Sequence, residues 1–168
     1  MRKKYRSKIF IVLICPLVWS ACGSTKEVSE EVDQSISEAQ DVNFRTMKKG
    51  ILYGAGEEGL NESIQVIKNE DDWKALKDQM DAVNNVTDAF ADIDDVDFEH
   101  EMVVACFDKV RSTGGYSMFV ERIVEMEAVI KIDVQVAIPS GMNTSVLTQP
   151  FVIVVMEKSD KSIERMFP

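Results

Sequence analysis

The sequence has few of the residues from which most active sites are built. Its 168 residues include one histidine, three cysteines and two tryptophans. A protein nucleophile needs a base within hydrogen-bond reach, and structural zinc sites are built mainly from cysteine and histidine. We therefore expect no enzyme, no catalytic residues, no metal site and no cofactor. Glycan hydrolysis by a carboxylate pair is the enzymatic alternative, although no spacing singles out such a pair.

The apolar run near the N-terminus is short, covering residues 9–19, whereas a spanning helix needs about 20 apolar residues. It follows the basic segment MRKKYRSK and precedes Ser20, Ala21 and Cys22. This order predicts a lipoprotein signal peptide at residues 1–21, with Cys22 as the lipidated N-terminus. Trp19 stands where such signals usually carry leucine, and an ordinary secretory signal that leaves a free Cys22 is the alternative. Both interpretations predict an extracytoplasmic protein, and the first predicts a membrane-anchored lipoprotein of the bacterial cell envelope.

Basic residues are outnumbered by acidic ones, 19 against 29. Residues 1–21 contain five basic residues and no acidic ones, so their removal leaves 14 basic against 29 acidic residues, a formal charge of −15. Such a surface repels phosphate backbones and anionic lipid headgroups. We therefore expect no nucleic-acid partner, and contact with the membrane only through the N-terminal lipid.

The number of cysteines excludes an intrachain disulfide if Cys15 is removed with the signal peptide and Cys22 carries the lipid. Cys106 is then alone, in the apolar run MVVACF. Free cysteine is among the most buried residue types. This context predicts a small buried side chain rather than a catalytic thiolate.

The segment that follows the signal is rich in charge and lacks aromatic residues. Residues 23–43 contain six acidic side chains and one lysine. Such a composition cannot form a core, so these residues are predicted to be a disordered tether with a root-mean-square span of roughly 25 Å. Together with the lipidated Cys22, the tether covers residues 22–43. We expect the folded domain to cover residues 44–158, followed by a polar C-terminal tail at 159–168.

One helix is predicted over residues 69–83. Trp73, Leu76, Met80 and Val83 recur at helical spacing and would share one face. Asn69 is suited to cap the N-terminus, where the acidic residues that follow it interact favourably with the helix dipole.

The rest of the domain has the pattern of short strands bounded by turn residues. In residues 129–137 apolar and polar side chains alternate, as in a strand with one solvated face. Six segments have strand character: 47–53, 63–68, 101–107, 116–124, 129–137 and 150–156. The predicted fold class is α+β, mainly an antiparallel sheet with a sandwich as one arrangement, and one helix.

Two literal motifs in the sequence are rejected on their context. The string GAGEEG at residues 54–59 matches a dinucleotide fingerprint, but a strand rather than a helix follows it, and a hairpin turn is expected instead. The acidic segment 92–99 has no glycine and does not fit a calcium-binding EF-hand loop. A solvated acidic loop is the expectation there, with a weak, irregular calcium site as the alternative.

Two other loops, at residues 108–115 and 138–149, are candidates for a contact surface. Antiparallel strands would bring both to one end of the sheet, where polar side chains and glycine backbone could meet a partner. The candidate partner-binding residues are Arg111, Ser112, Thr113, Gly114, Gly115, Tyr116, Pro139, Gly141 and Asn143.

Several short motifs in this order resemble the C-terminal domain family of the protease complex subunit PrcB. They are DW at 72–73, VDF at 96–98, MVVA at 102–105, RSTGGYS at 111–117, IPSG at 138–141 and TQPFVIV at 148–154. The resemblance covers roughly residues 62–158, and its most specific element is the TGGY turn. It implies a small extracytoplasmic β-rich module, often lipid-anchored, named for a subunit that associates with and stabilises a surface protease. No catalytic residues carry over.

The combined expectation is a lipid-anchored accessory module that contacts or stabilises an envelope protein, such as a protease, through the TGGY loop. Two alternatives stay open. One is a structural envelope lipoprotein without a specific partner. The other is a small β-domain protease inhibitor, by analogy with domains that insert a T-G-[YF] loop into a protease cleft.

Overall fold

The computed structural model of the protein describes residues 39–90, 96–141 and 144–166. The predicted signal peptide, Cys22 and most of the predicted tether lie outside the described residues, as do Asn143 and residues 92–95 of the acidic segment. Within the described ranges the strands are β1 (Gln40–Asp41), β2 (Phe44–Leu52), β3 (Ser63–Ile67), β4 (Glu101–Phe107), β5 (Ser117–Glu125), β6 (Val129–Ala137), β7 (Gln149–Glu157) and β8 (Ser162–Arg165). One α-helix, α1 (Glu70–Met80), and a short 3-10 helix (Thr87–Phe90) lie between β3 and β4.

The strands form two four-stranded sheets, which confirms the predicted α+β, sandwich-like fold. The first sheet has the order β1-β5-β6-β8 and the second β2-β7-β4-β3. Every described pairing is antiparallel except that of β6 with β8. The turn at 125–128 closes the predicted hairpin between β5 and β6, where the Met126 amide donates to the Val129 carbonyl at 2.9 Å.

The second sheet lies in the middle of three layers, with the first sheet on one face and α1 on the other. Alternate residues of β4 therefore enter different cores: Val104 and Cys106 face the first sheet, whereas Val103 and Phe107 face the helix. Because both faces of β4 and β7 are covered, their sequences are continuous apolar runs rather than alternating ones. The two cores explain why so much of the apolar sequence is concentrated in these two strands.

Helix α1 forms where it was predicted but ends at Met80 instead of residue 83. Asn69 caps it by accepting a hydrogen bond from the Asp72 amide at 2.8 Å, and Trp73 packs under it against Phe90, with ring centroids 6.5 Å apart. The chain turns after Met80 because the Asp81 side chain accepts from the Val86 and Thr87 amides and so fixes a loop.

The folded domain extends beyond residues 44–158 at both ends. Gln40 and Asp41 pair with the end of β5, so the predicted tether is wrong for its last residues. Residues 162–165 pair in parallel with β6, so the predicted tail is also partly a strand. Each segment contributes one partly buried side chain to the core, Val42 and Ile163 respectively, and a single apolar residue gives no periodic signal.

Helix α1 is 11 residues long and mostly polar, and no helix in ranges 39–90, 96–141 and 144–166 has the length and apolar character needed to cross a membrane.

Candidate functional site at the loop end

Three loops meet at one end of the sandwich, and we call residues 53–62, 108–116 and 138–148 the loop end. The second loop joins β4 to β5 and the third joins β6 to β7. Arg111 and Thr148 exchange backbone hydrogen bonds of 2.7 and 3.0 Å, and the Gly114 amide donates to the Thr144 carbonyl at 3.0 Å. The Thr148 hydroxyl also donates to the Thr113 carbonyl at 2.9 Å. The structure therefore brings the two predicted loops together, as the strand directions required.

Arg111 is held inside its own loop. Its guanidinium donates to both carboxylate oxygens of Asp108, at 2.6 and 2.9 Å, and its central carbon lies 4.7 Å from the centroid of the Tyr116 ring. The hydrogen bond to Asp108 is the main cause that raises the pKa of Arg111, so the guanidinium stays charged. The side chain of Asp108 is only 2% exposed, which makes this pair a fixed part of the loop.

Gln149 is a central residue of the loop end that was not among the predicted ones. It is buried, and its Nε2 donates to the Leu60 and Asp108 carbonyls, at 2.8 Å each. One side-chain amide thus links the first loop, the second loop and the start of β7. The sequence signal was an amide within the otherwise apolar run QPFVIVV, where only a residue with internal partners is expected.

The first loop is not the hairpin turn that was predicted for GAGEEG. Strands β2 and β3 lie at opposite edges of the second sheet, so this loop crosses the ends of β7 and β4. The Gly54 amide donates to the buried Glu58 carboxylate at 2.7 Å. Gly56 has a φ of +93° and lies against Val110, where an added Cβ would be 3.2 Å from the valine methyl. The first and second loops therefore pack closely.

The remaining predicted residues differ in exposure. Ser112, Gly115 and Gly141 are exposed, Tyr116 and Pro139 are half-buried, and Gly114 is buried. Gly115 and Gly141 have φ values of +88° and +99°, in the left-handed region that favours glycine. Asn143 lies outside the described residues.

The loop end also exposes large apolar side chains that the sequence interpretation had not included. Ile138 is 78% exposed, the largest fraction among the exposed large hydrophobic residues of the described ranges. The full set at this end is Tyr53, Val110, Ile138, Val146 and Leu147. A surface predicted to consist of backbone and small polar groups therefore also carries apolar anchors.

Two groups with possible chemistry lie elsewhere. Burial raises the pKa of the Cys106 thiol to about 12, which leaves it protonated and a poor nucleophile. Asp97, Glu99 and His100 place one ligand atom each within 4.8 Å of one another, but all three are exposed. Hydrogen bonds from His100 and the Glu99 amide lower the pKa of Asp97. This geometry gives an exposed acidic turn held by its own hydrogen bonds.

Two four-stranded sheets, a helix on one of them and a hydrogen-bonded loop end define a small β-sandwich domain of the α+β class. Residues 102–157, from β4 through β7, match the family model described as PrcB C-terminal. This match confirms the resemblance that the sequence motifs indicated, and it includes both of the predicted contact loops. Searches of the curated proteins and of the solved structures gave no match to the chain.

Proposed function

We propose that the protein is a lipid-anchored accessory module of the cell envelope, which docks on an envelope protein such as a protease through the loop end. The observation that carries this proposal is that one end of the domain combines loops joined by hydrogen bonds with exposed apolar side chains. Exposed apolar residues grouped on one surface are typical of binding sites. The family match to a protease-complex subunit suggests the class of partner.

The loop end is suited to binding because its loops are held in one conformation before any partner arrives. The Arg111–Thr148 backbone pair joins the second and third loops, and Gln149 joins the first and second. A loop that is already ordered loses less conformational entropy on association, so more of the contact energy is retained as affinity.

The position of β1 favours a domain that presents its loop end away from the membrane. Gln40 and Asp41 pair with Glu125 and Val124, at the end of β5 that carries the 126–128 turn. The loop end lies at the other end of β5, beyond Ser117. A tether that joins the domain at β1 would therefore leave from the end of the domain opposite the contact loops.

Docking of a preformed surface is favoured over insertion of the T-G-Y loop into a protease cleft. The Thr113 carbonyl accepts from Thr148, and the Gly114 amide donates to Thr144. Backbone groups that are already used within the domain are not available to pair with a protease cleft. Direct inhibition would require the loop to detach from its neighbour.

Surface substitutions at the two ends of the sandwich test this proposal. Ile138→Lys combined with Leu147→Lys places charges on the loop end without altering its glycines, and Met126→Lys is the matched control in the opposite turn, where Met126 is 40% exposed. We expect the double variant to reduce copurification of one envelope protein from membranes by about tenfold or more, as for loss of an interface anchor. The control variant should retain it. Equal recovery of the same proteins with all variants would contradict the proposal and favour a structural lipoprotein without a specific partner.

A further inference from the structure

A cavity of about 330 Å³ opens at the seam between the two sheets, where the edge strands β3 and β8 approach each other. Its apolar wall takes residues from both sheets. These residues are Ile64, Cys106, Phe107, Met118, Val134 and Ile163. None of the five exposed apolar residues of the loop end lines it, and Glu62, the last residue of the first loop, is the one loop-end residue in its lining.

The cavity lies next to the end of β8, which pairs with only part of β6. The four residues of β8 pair with Val129 through Ile132, whereas β6 continues to Ala137. Among the described residues no strand pairs with β6 beyond Ile132 at this edge, and Val134 and Met118 line the cavity there. An apolar space of this kind is filled favourably by an apolar ligand, because water gains few hydrogen bonds there.

The mouth of the cavity carries one cation, Arg165, and one carboxylate, Glu62. The guanidinium donates to the Val134 carbonyl at 3.2 Å and forms an ion pair with Glu62 at 3.3 Å. Arginine has five N–H donors, so these two bonds leave donors for a ligand anion. The Glu62 side chain is 51% exposed, and surface ion pairs of this kind contribute little to stability. An anionic head group can therefore replace Glu62 at the guanidinium.

We propose that the cavity binds a single-chain anionic amphiphile, such as a fatty acid, with the alkyl chain between the sheets and the acidic head group at Arg165. The volume lies near the lower end of the range for small-molecule pockets, roughly 300–1,000 Å³, which suits one alkyl chain rather than a two-chain phospholipid. Apolar walls contribute affinity for the alkyl chain, and the Arg165 cation at the mouth sets its orientation. This site does not depend on the function proposed for the loop end.

Three ligands with the same alkyl chain and different charge test the proposal: dodecanoate, dodecanol and dodecyltrimethylammonium. Binding is measured by isothermal titration calorimetry on the full chain with Cys22→Ser, in a sterol-based detergent, so that neither an attached acyl chain nor the detergent competes. We expect saturable binding, with dodecanoate bound about tenfold more tightly than dodecanol because of a charge-assisted hydrogen bond, and the cation bound most weakly.

Variants at the mouth separate the role of the head group from that of the chain. Arg165→Gln should remove the preference for dodecanoate and leave dodecanol binding unchanged. Glu62→Gln, at an exposed position, should strengthen dodecanoate binding because the competing carboxylate is lost. Equal affinities of the wild-type protein for all three ligands, or a Glu62→Gln variant with unchanged dodecanoate affinity, would overturn the assignment of the head group to Arg165.

Variants on β8 test the location of the alkyl chain. Ile163→Trp fills the cavity and should abolish binding of all three ligands. Glu164→Trp is the matched control, because Glu164 is the neighbouring residue but is exposed and pairs with Lys131. Absence of saturable binding to the wild-type protein, or equal binding by Ile163→Trp and Glu164→Trp, would show that the cavity is not the binding site.

Discussion

Gln149 joins two loops of the loop end through its side-chain amide, although it was not among the residues that the sequence singled out there. Its amide donates to two carbonyls in two different loops, and it is itself buried. Arg111, a predicted partner-binding residue, forms an ion pair with the buried Asp108 side chain. At the scale of single residues, the conformation of the exposed loops thus depends partly on buried polar side chains.

We predict that Gln149→Leu lowers the free energy of unfolding by about 2 kcal/mol, because the Leu60 and Asp108 carbonyls lose their donor. Gln149→Glu, which keeps the size of the side chain but removes its donors, should lower it at least as much. Urea denaturation measures both values. A Gln149→Glu variant as stable as the wild type would show that these hydrogen bonds do not hold the loops.

The Cys106 thiol should be inert in the folded protein. Burial raises its pKa to about 12, so the thiolate fraction at pH 8 is very small, and the side chain is 1% exposed. Alkylation with iodoacetamide, followed by mass spectrometry of the peptide that contains Cys106, should show little modification in native buffer and complete modification in guanidinium chloride. Rapid native alkylation at pH 8 would contradict the buried position of this strand residue.

The elements that the sequence could predict are those with strong periodicity or long apolar runs. Helix α1 and the strands β4 to β7 were predicted because each contains several apolar residues in a regular pattern. Strands β1 and β8 were missed, since they have two and four residues and little apolar content. Their strand conformation depends on pairing with β5 and β6, which are distant in sequence. Local strand propensity does not predict such pairing.

The end of helix α1 was also missed, because Asp81 acts through hydrogen bonds to residues that follow it. Burial of this carboxylate tends to raise its pKa, but the hydrogen bonds from Thr87 and Val86, with the nearby charge of Lys77, outweigh burial and lower it. A carboxylate with a lowered pKa in the folded state stabilises the protein above its unfolded-state pKa of about 3.9, and this contribution is lost as the pH falls through the folded-state pKa.

We therefore predict that Asp81→Asn lowers the free energy of unfolding at pH 7, and that the difference from the wild type shrinks as the pH falls below about 3.9. Urea denaturation across this pH range measures the difference directly. Glu127→Gln, at an exposed position in the turn between β5 and β6, serves as the control and should show little effect at pH 7. A difference for Asp81→Asn that does not change with pH would contradict a role for the charge.

At the scale of the whole molecule, the arrangement of the strands gives the proposed function its geometry. The sequence was sufficient to predict that the 108–116 and 138–148 loops share one end, because alternating antiparallel strands require it. It was not sufficient to place the first loop there, since β2 and β3 pair with β7 and β4 rather than with each other. Tyr53 was overlooked for the same reason. Ile138 lies in a loop that was placed correctly, but a single apolar side chain in a loop gives no periodic signal.

The most direct test of the proposed contact surface is site-specific photocrosslinking on intact cells. A photoreactive residue at position 112 probes the exposed Ser112 in the loop end, and one at position 127 probes the exposed Glu127 at the opposite end. We predict one dominant crosslinked envelope protein from position 112, lost when Ile138→Lys is added, and no such product from position 127. No dominant product from position 112, or the same product from both positions, would contradict docking through the loop end.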